Sequence, residues 1–166
     1  MYDPKKHRII SNASCTTNAL APAVKVLEDA FGIHHLLVTT VHAYTASQSL
    51  VDRASKRWQH GRAAAVSLIP STTGAAKATA LVLPPLKVKT DALAIRAPIP
   101  DGAIVDIVAE IKTDVTVETV NEAYKRVSQV EMNSILAYSE DELVSADIIG
   151  VTHSSVIDAT LTRVVD

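Results

Sequence analysis

Apolar residues recur at helical spacing in three segments of the chain, over residues 15–31, 75–83 and 116–127. The stripe of the first segment consists of Leu20, Val24, Leu27 and Phe31. The stripe of the third consists of Val117, Val120, Ala123, Tyr124 and Val127. Gly32 marks the end of the first stripe, and Pro22 inside it predicts an irregular first turn or a kink. The pattern therefore predicts three helices.

Compact runs of apolar and β-branched residues predict strands over residues 36–41, 92–97 and 104–111. The last two are predicted to be joined by a hairpin-like turn, which contains Pro98, Pro100, Asp101 and Gly102. Shorter strands are predicted at residues 7–11, 135–138, 143–145, 155–157 and 163–165.

The remaining segments and the balance of elements decide the predicted fold class. Residues 47–65 are mixed and charged without a clear period, which is typical of a long functional or interfacial loop. Residues 71–74 are predicted to form a turn that carries hydroxyl groups. Strands outnumber helices and do not alternate strictly with them, so we expect an α+β fold. Its sheet should be largely antiparallel or mixed, with about three helices on one face.

Composition narrows the class of protein. The 166 residues are enough for one domain, which covers residues 1–166. Apolar residues make up 48% of the chain and charged residues 20%, and this composition excludes a disordered chain. A formal net charge of −2 gives no electrostatic argument for nucleic acid or an anionic membrane. No run reaches the ~18 apolar residues that a membrane span needs. The polar N-terminus and the single cysteine predict a cytoplasmic protein without a disulfide framework.

The single cysteine, Cys15, is the first candidate for chemistry. It lies in the sequence Ser-Asn-Ala-Ser-Cys-Thr-Thr-Asn, residues 11–18, at the predicted start of a helix. The helix dipole and the free backbone N–H groups there favour a thiolate, which is the nucleophilic form. The alternative is a small buried hydrophobe, but the polar neighbours Ser14 and Thr16 argue against an inert thiol.

His42 is the candidate base for Cys15. It follows an apolar strand, and a histidine gains and loses a proton near neutral pH. A cysteine paired with a histidine is an activated nucleophile, and a helix commonly packs beside the next strand. The alternative is a structural histidine whose hydrogen bonds are satisfied within the fold.

A third group of residues is suited to binding anions and consists of Ser14, Thr16, Thr45, Thr73, Gly74, Arg62 and Arg96. Hydroxyls and helix-start N–H groups bind phosphate, and arginine adds charge. Arg96 is the most informative because it interrupts an apolar strand, where a cation needs a partner or a ligand. The alternative partner is Asp101 or Asp106 in a salt bridge. No group of residues predicts a metal site.

Five segments resemble motifs of the phosphorylating glyceraldehyde-3-phosphate dehydrogenases. They are residues 11–18, 39–45, 69–77, 95–98 and 153–155. The resemblance covers nearly the whole chain, in the order of the family and at close to its spacing. It implies the catalytic domain of such an enzyme and, from the assembly of the family, a homo-oligomer in which residues 47–68 contact other subunits.

The resemblance implies a role for each candidate residue. Cys15 would attack the aldehyde of glyceraldehyde 3-phosphate to give a thiohemiacetal, and His42 would take the proton. After hydride transfer to NAD or NADP, inorganic phosphate would attack the Cys15 thioester and release the acyl phosphate 1,3-bisphosphoglycerate. Thr45 and Arg96 match the positions that hold the phosphate of the substrate. The attacking phosphate would be held by Ser14, Thr16, Thr73 and Gly74.

The chain also departs from the pattern of the family. It contains five glycines and no Gly-x-Gly-x-x-Gly sequence, so we expect the nucleotide-binding half and the closing tail of the family to lie outside it. Its cofactor-binding residues are unknown. Val130 and Ser134 stand where glycines are frequent in the family, which matters if either backbone needs a positive φ.

Two functions of different classes therefore stand open. In the first, the chain is a catalytic domain that keeps the covalent chemistry and needs a nucleotide-binding half for turnover. In the second, it is a non-catalytic assembly module derived from that domain, in which the sheet and the loop of residues 47–68 mediate self-association. Hydrolysis of activated esters by Cys15 and His42 is a third reading that needs no cofactor.

Overall fold

The computed structural model describes residues 2–165, which form three α-helices, a mixed four-stranded sheet and a two-stranded sheet. The helices are α1 (Cys15–Phe31), α2 (Ala75–Val82) and α3 (Val117–Gln129). The larger sheet consists of β1 (Ile33–Ala43), β2 (Ile69–Thr72), β3 (Thr90–Ala97) and β4 (Ala103–Ile111). The smaller sheet consists of β5 (Leu136–Ser139) and β6 (Ser155–Asp158). The predicted α+β class with a mixed sheet is confirmed.

The helix α1 forms where the apolar stripe predicts it. Leu20, Val24 and Leu27 are buried in the core, and Gly32 ends the helix with a φ of 67°, a conformation that glycine adopts without strain. Pro22 interrupts neither the first turn nor the helix. A proline removes one backbone donor from the helix, and burying the stripe outweighs that loss.

The order of strands in the larger sheet is β2-β3-β1-β4. β1 pairs in parallel with β3 and antiparallel with β4, with Thr40 opposite both Ala94 and Val105. The predicted hairpin between residues 92–97 and 104–111 is therefore wrong, because β1 lies between them. The connection passes over the end of β1, where the Ala43 N–H donates to the Gly102 carbonyl at 3.1 Å.

Several short strand predictions fail, each where a segment has no strand beside it. Residues 7–11 have a bend at residues 8–9 and otherwise no regular structure, with Ile9 and Ile10 exposed, and residues 163–165 have no regular structure. A 3-10 helix (Ser145–Ile148) follows residues 143–144. The predictions at 135–138 and 155–157 are confirmed as β5 and β6, which pair in parallel. Part of the predicted turn at 71–74 is the strand β2, which pairs with β3.

The two faces of the larger sheet have different surroundings. Leu36 and Val38 of β1 point to the face that α1 covers and are buried. Residues at alternate positions form the opposite face and remain largely exposed, and they include Leu37, Leu93, Ile104 and Val108. None of the helices found within residues 2–165 combines the length and apolar character needed to cross a bilayer.

The two positions where the family favours glycine do not need it here. Val130 has a φ of −119°, and Ser134 is not among the residues with positive φ. Neither backbone is strained by its side chain. The non-glycine residues with positive φ in the described part of the chain are Ala13 and Val88.

Candidate active site

The start of α1 places the thiol of Cys15 at the surface. Ser14 has extended backbone (φ −139°), and its hydroxyl accepts a hydrogen bond from the Thr17 N–H at 3.0 Å, so Ser14 caps the helix. Cys15 is then the first helical residue, and its side chain is exposed. The thiol therefore lies beside the unpaired N–H groups of the first turn, which attract negative charge.

The loop before α1 is fixed by its own polar side chains. Asn18 donates from its amide nitrogen to the carbonyls of Asn12 at 2.6 Å and Ser14 at 2.9 Å. Ala13 adopts a positive φ of 57° between these two residues. Non-glycine residues with positive φ are uncommon and tend to persist where the surroundings over-determine the backbone. Here the turn directs Cys15 into the cavity described below.

His42 meets Cys15 because β1 ends where α1 begins. Its Nε2 lies 3.3 Å from Cys15 Sγ, within hydrogen-bond distance for sulfur. Its Nδ1 lies 2.7 Å from the Ala43 carbonyl oxygen. A thiol, a histidine nitrogen and a carbonyl that orients the ring thus lie in an arrangement in which a histidine can activate a thiol.

Arg96 reaches the same histidine from the neighbouring strand. It lies directly opposite His42 in the parallel pairing of β1 and β3. Its Nη1 is 2.7 Å from His42 Nδ1 and donates to the Ala43 carbonyl at 3.1 Å. The alternative of a salt bridge to Asp101 or Asp106 is not what the structure shows.

A cavity of about 500 Å³ opens beside the thiol. Eight of the nine candidate residues named from the sequence line it: Ser14, Cys15, Thr16, His42, Thr45, Thr73, Gly74 and Arg96. Thr17 and Thr72 also line it, and sequence analysis did not select them as site residues. Both stand next to selected hydroxyl residues in their motifs, so adjacency is the signal that would have found them.

The far wall of the cavity is the start of α2. Gly74 precedes the helix, and a Cβ added there would meet no atom within 4 Å. The Thr73 hydroxyl accepts from the Ala75 N–H at 3.2 Å. The exposed Thr45 hydroxyl, which also lines the cavity, is 3.0 Å from the Ser47 hydroxyl. The cavity is thus walled by hydroxyl groups and backbone N–H groups, which suit an anion.

Arg62, the other arginine of the predicted anion group, does not line the cavity. It donates from Nε to Asp52 at 3.1 Å within the loop of residues 47–65. The pKa of Asp52 is held below its ordinary value by a hydrogen bond from the Ala63 N–H and then by Arg62. Arg62 therefore organises the loop, and Arg96 is the arginine in the cavity wall.

Taken together, the fold and the site define an α+β domain with an exposed cysteine–histidine pair beside a hydroxyl-lined cavity. Among residues 2–165, no three histidine, cysteine, aspartate or glutamate side chains lie together in a way that would hold a metal ion. The thiol is the side chain in the cavity lining with the chemistry of a covalent nucleophile.

Comparison with known proteins gives the family. Residues 14–166 match the family described as glyceraldehyde 3-phosphate dehydrogenase, C-terminal domain, and the chain belongs to it. Glyceraldehyde-3-phosphate dehydrogenase of Geobacillus stearothermophilus is 56% identical over 165 residues, which cover 99% of this chain and 49% of that protein. Glyceraldehyde-3-phosphate dehydrogenase 2 of Bacillus subtilis is 53% identical over 165 residues, which cover 48% of its length. The chain spans about half the length of these curated relatives.

Proposed function

We propose that residues 1–166 are the catalytic domain of an oxidoreductase that converts glyceraldehyde 3-phosphate and inorganic phosphate to 1,3-bisphosphoglycerate. The observation that carries the proposal is the 3.3 Å contact between Cys15 Sγ and His42 Nε2 at the edge of the cavity. The names of the relatives, which are glyceraldehyde-3-phosphate dehydrogenases, support the choice of substrate. A cytoplasmic enzyme is consistent with this chemistry.

The covalent steps use Cys15 and His42. The thiolate of Cys15 forms a bond to the aldehyde carbon, and the carbonyl electron pair moves onto oxygen, which takes a proton from His42 to give a thiohemiacetal. His42 recovers that proton when the thiohemiacetal is oxidised to the thioester. An oxygen of inorganic phosphate then bonds to the acyl carbon, the carbon–sulfur bond breaks, and Cys15 leaves as the thiolate.

The hydroxyl walls of the cavity offer two places for phosphate. Thr45 and Arg96 both line the cavity and are suited to the phosphate of the substrate, because a guanidinium binds phosphate through paired N–H groups. The attacking phosphate fits the start of the two helices, among Ser14, Thr16, Thr73 and Gly74.

A nicotinamide dinucleotide, NAD or NADP, would supply the hydride acceptor that the oxidation to a thioester requires. Residues 2–165 do not fit the usual site for such a group, because they contain no glycine-rich turn between a strand and a helix. We propose that the cofactor is held mainly by a nucleotide-binding half outside these residues. This chain binds the substrate and moves the proton.

The test of the cysteine–histidine pair is alkylation of Cys15 by iodoacetamide at pH 7. A free thiol is only ~3% thiolate at this pH, so an activated Cys15 should react about tenfold faster than free cysteine. His42→Ala should remove most of that gain. His34→Ala is the matched control, since His34 is an exposed histidine on the same strand. Equal rates for all three proteins and for free cysteine would contradict the proposal.

The complete reaction is tested by adding the nucleotide-binding half of a relative in trans. Reduction of the nicotinamide should require glyceraldehyde 3-phosphate, inorganic phosphate and Cys15, and the Cys15→Ser variant should be inactive. A folded chain that gives no signal with either NAD or NADP under these conditions would count against the dehydrogenase proposal.

A second candidate function is assembly without catalysis. The observation that favours it is the outer face of the larger sheet, where Leu37 and Val108 lie opposite each other and both are exposed. Apolar surface of this kind is commonly covered by another chain. Self-association into a homo-oligomer is also compatible with the enzyme, so assembly alone does not favour this function. Two results together would favour it: Cys15 reacts no faster than free cysteine, and the Cys15→Ser variant assembles like the wild type.

A further inference from the structure

The Nδ1 atom of His42 is shared by two partners that make opposite demands on it. The Ala43 carbonyl at 2.7 Å is an acceptor and requires a proton on Nδ1. The Arg96 guanidinium, also at 2.7 Å, is always protonated and requires a bare Nδ1. A single ring nitrogen meets one of these demands at a time. Arg96 also donates to the Ala43 carbonyl at 3.1 Å, so that carbonyl keeps a donor when Nδ1 is bare.

The state of Nδ1 decides what Nε2 can do. A neutral imidazole has one N–H, so a bare Nδ1 places the proton on Nε2, which faces the Cys15 sulfur. This Nε2–H donates a hydrogen bond but does not transfer its proton, because the ring would be left as an imidazolate. With Nδ1 protonated and bonded to Ala43, Nε2 gains and loses a proton freely, as a base or an acid must.

Arg96 has reasons to leave His42 when an anion enters the cavity. Its Nε is buried without a hydrogen-bond partner among residues 2–165, so the present arrangement leaves one of its donors unsatisfied. It is also the one permanently charged side chain in the lining of the cavity. An anion offers the guanidinium charge-assisted hydrogen bonds that a neutral imidazole and a carbonyl do not match.

We propose that Arg96 is a positioning residue that controls proton transfer by His42, and that a phosphate group bound in the cavity releases this control. While Arg96 donates to Nδ1, the Nε2–H of His42 donates a hydrogen bond to the Cys15 sulfur and so favours its thiolate, but His42 does not transfer a proton as acid or base. When Arg96 turns to the phosphate, a proton from water occupies Nδ1, the proton on Nε2 is released, and the base is ready. The inference rests on the proposed function, because it gives the substrate phosphate a second task.

The experiment is ¹⁵N NMR of the two ring nitrogens of His42 in the ¹⁵N-labelled chain, at about pH 8, above the range in which histidine ordinarily titrates. The probe is glycerol 3-phosphate, a phosphate monoester without an aldehyde. Without the probe, we expect Nδ1 at the shift of a bare nitrogen and Nε2 at the shift of a protonated one. With the probe at saturation, the two assignments should exchange.

Two variants separate the role of Arg96 from a general effect on the fold. Arg96→Leu should show a protonated Nδ1 without the probe, and the probe should then change nothing. Arg126→Leu, which removes an exposed arginine of α3 outside the cavity, should behave as the wild type. If Arg96→Leu does not fold, the titration of the wild-type chain with glycerol 3-phosphate decides the question alone.

Three results would overturn the inference: a protonated Nδ1 in the wild type without the probe, no exchange although amide shifts near Thr73 show binding, or no binding at all. Failure of the proposed function gives a different pattern. There, Cys15 does not react with aldehydes while the His42 nitrogens still respond to the phosphate ester. An active Cys15 with unresponsive nitrogens would leave the proposed function in place and remove only the role of Arg96.

Discussion

At the scale of single residues, backbone angles distinguish positions that the contacts alone do not. Ala13 and Val88 both have positive φ, 57° and 62°. Ala13 lies two residues before the reactive thiol and lines the cavity, so its strain belongs to the turn that presents Cys15. Val88 is 97% exposed in the connection before β3 and lines no cavity described here. Its strain therefore costs stability without serving the site.

Val88→Gly should stabilise the chain. A β-branched residue in the left-handed region costs about 1–2 kcal/mol, and the added flexibility of glycine in the unfolded chain offsets about 0.5–1 kcal/mol. We expect a net gain of about 0.5–1 kcal/mol in the free energy of unfolding, measured by urea denaturation. Val130→Gly is the matched control, because Val130 is exposed and has a negative φ. This variant should be as stable as the wild type or less stable. A lower free energy of unfolding in both variants would contradict the assignment of strain to Val88.

At the scale of elements, α3 is tied to α1 by one buried hydrogen bond. The Tyr124 hydroxyl donates to the Ala23 carbonyl at 3.2 Å, and the ring is buried in the core. Thr116 caps α3 through a reciprocal bond with Thr119. Because Ala23 lies in the middle of α1 and Cys15 is the first residue of the same helix, the packing of α3 supports the element that positions the thiol.

Tyr124→Phe should change stability in a pH-dependent way. Burial raises the pKa of Tyr124 above its ordinary value of 10 in the folded chain. Above about pH 10 the unfolded chain loses this proton while the folded chain keeps it, so the wild type loses about 1.4 kcal/mol of stability per pH unit there. The variant should lack this loss, although it is about 1 kcal/mol less stable at pH 7. Urea denaturation at pH 7 and above pH 10 measures both effects, and parallel curves for the two proteins would refute the prediction.

At the scale of the whole molecule, the larger sheet has one face covered by helices and one face in solvent. The exposed face is apolar along three strands, with Leu37 on β1, Leu93 on β3 and Val108 on β4. The loop of residues 47–65 adds the exposed Trp58 to the surface. These surfaces support the proposed homo-oligomer.

Leu37→Lys should weaken self-association. The change places a charge at the centre of the exposed face, where burial against another copy would leave the charge unpaired. Sedimentation velocity over a concentration series should show a shift toward the monomer. Leu81→Lys is the matched control, since Leu81 is also an exposed leucine but belongs to α2 and not to the exposed face of the sheet. If Leu37→Lys assembles like the wild type, the oligomer uses another surface.

Much of the site could be predicted from the sequence because its chemistry is local. The cap at Ser14, the position of Cys15 at a helix start and the end of the helix at Gly32 follow from neighbouring residues. The cap of α3 at Thr116 depends in the same way on the residues beside it. The residues of the cavity fall in short motifs, so naming the motifs also named the residues.

The failed predictions depend on partners that are distant in sequence. The hairpin between β3 and β4 failed because β1 pairs with both of them. Residues 7–11 have the composition of a strand but no strand beside them, and the four-residue strand β2 exists because β3 lies next to it. Strand pairing is a tertiary contact, and neither composition nor period encodes it.

The sequence by itself determined the helices, the fold class and the residue types of the site, since these depend on spacing and on local capping. Only the tertiary structure decided the order of the strands and thereby the register of β1 and β3, which places His42 beside Arg96. The contact of Arg96 with His42 Nδ1 is a consequence of that register, whereas Ala43 contacts the same atom as the next residue along the chain. Arg96 and His42 are far apart in sequence, and they lie within hydrogen-bond distance because the parallel pairing of β1 and β3 places them opposite each other.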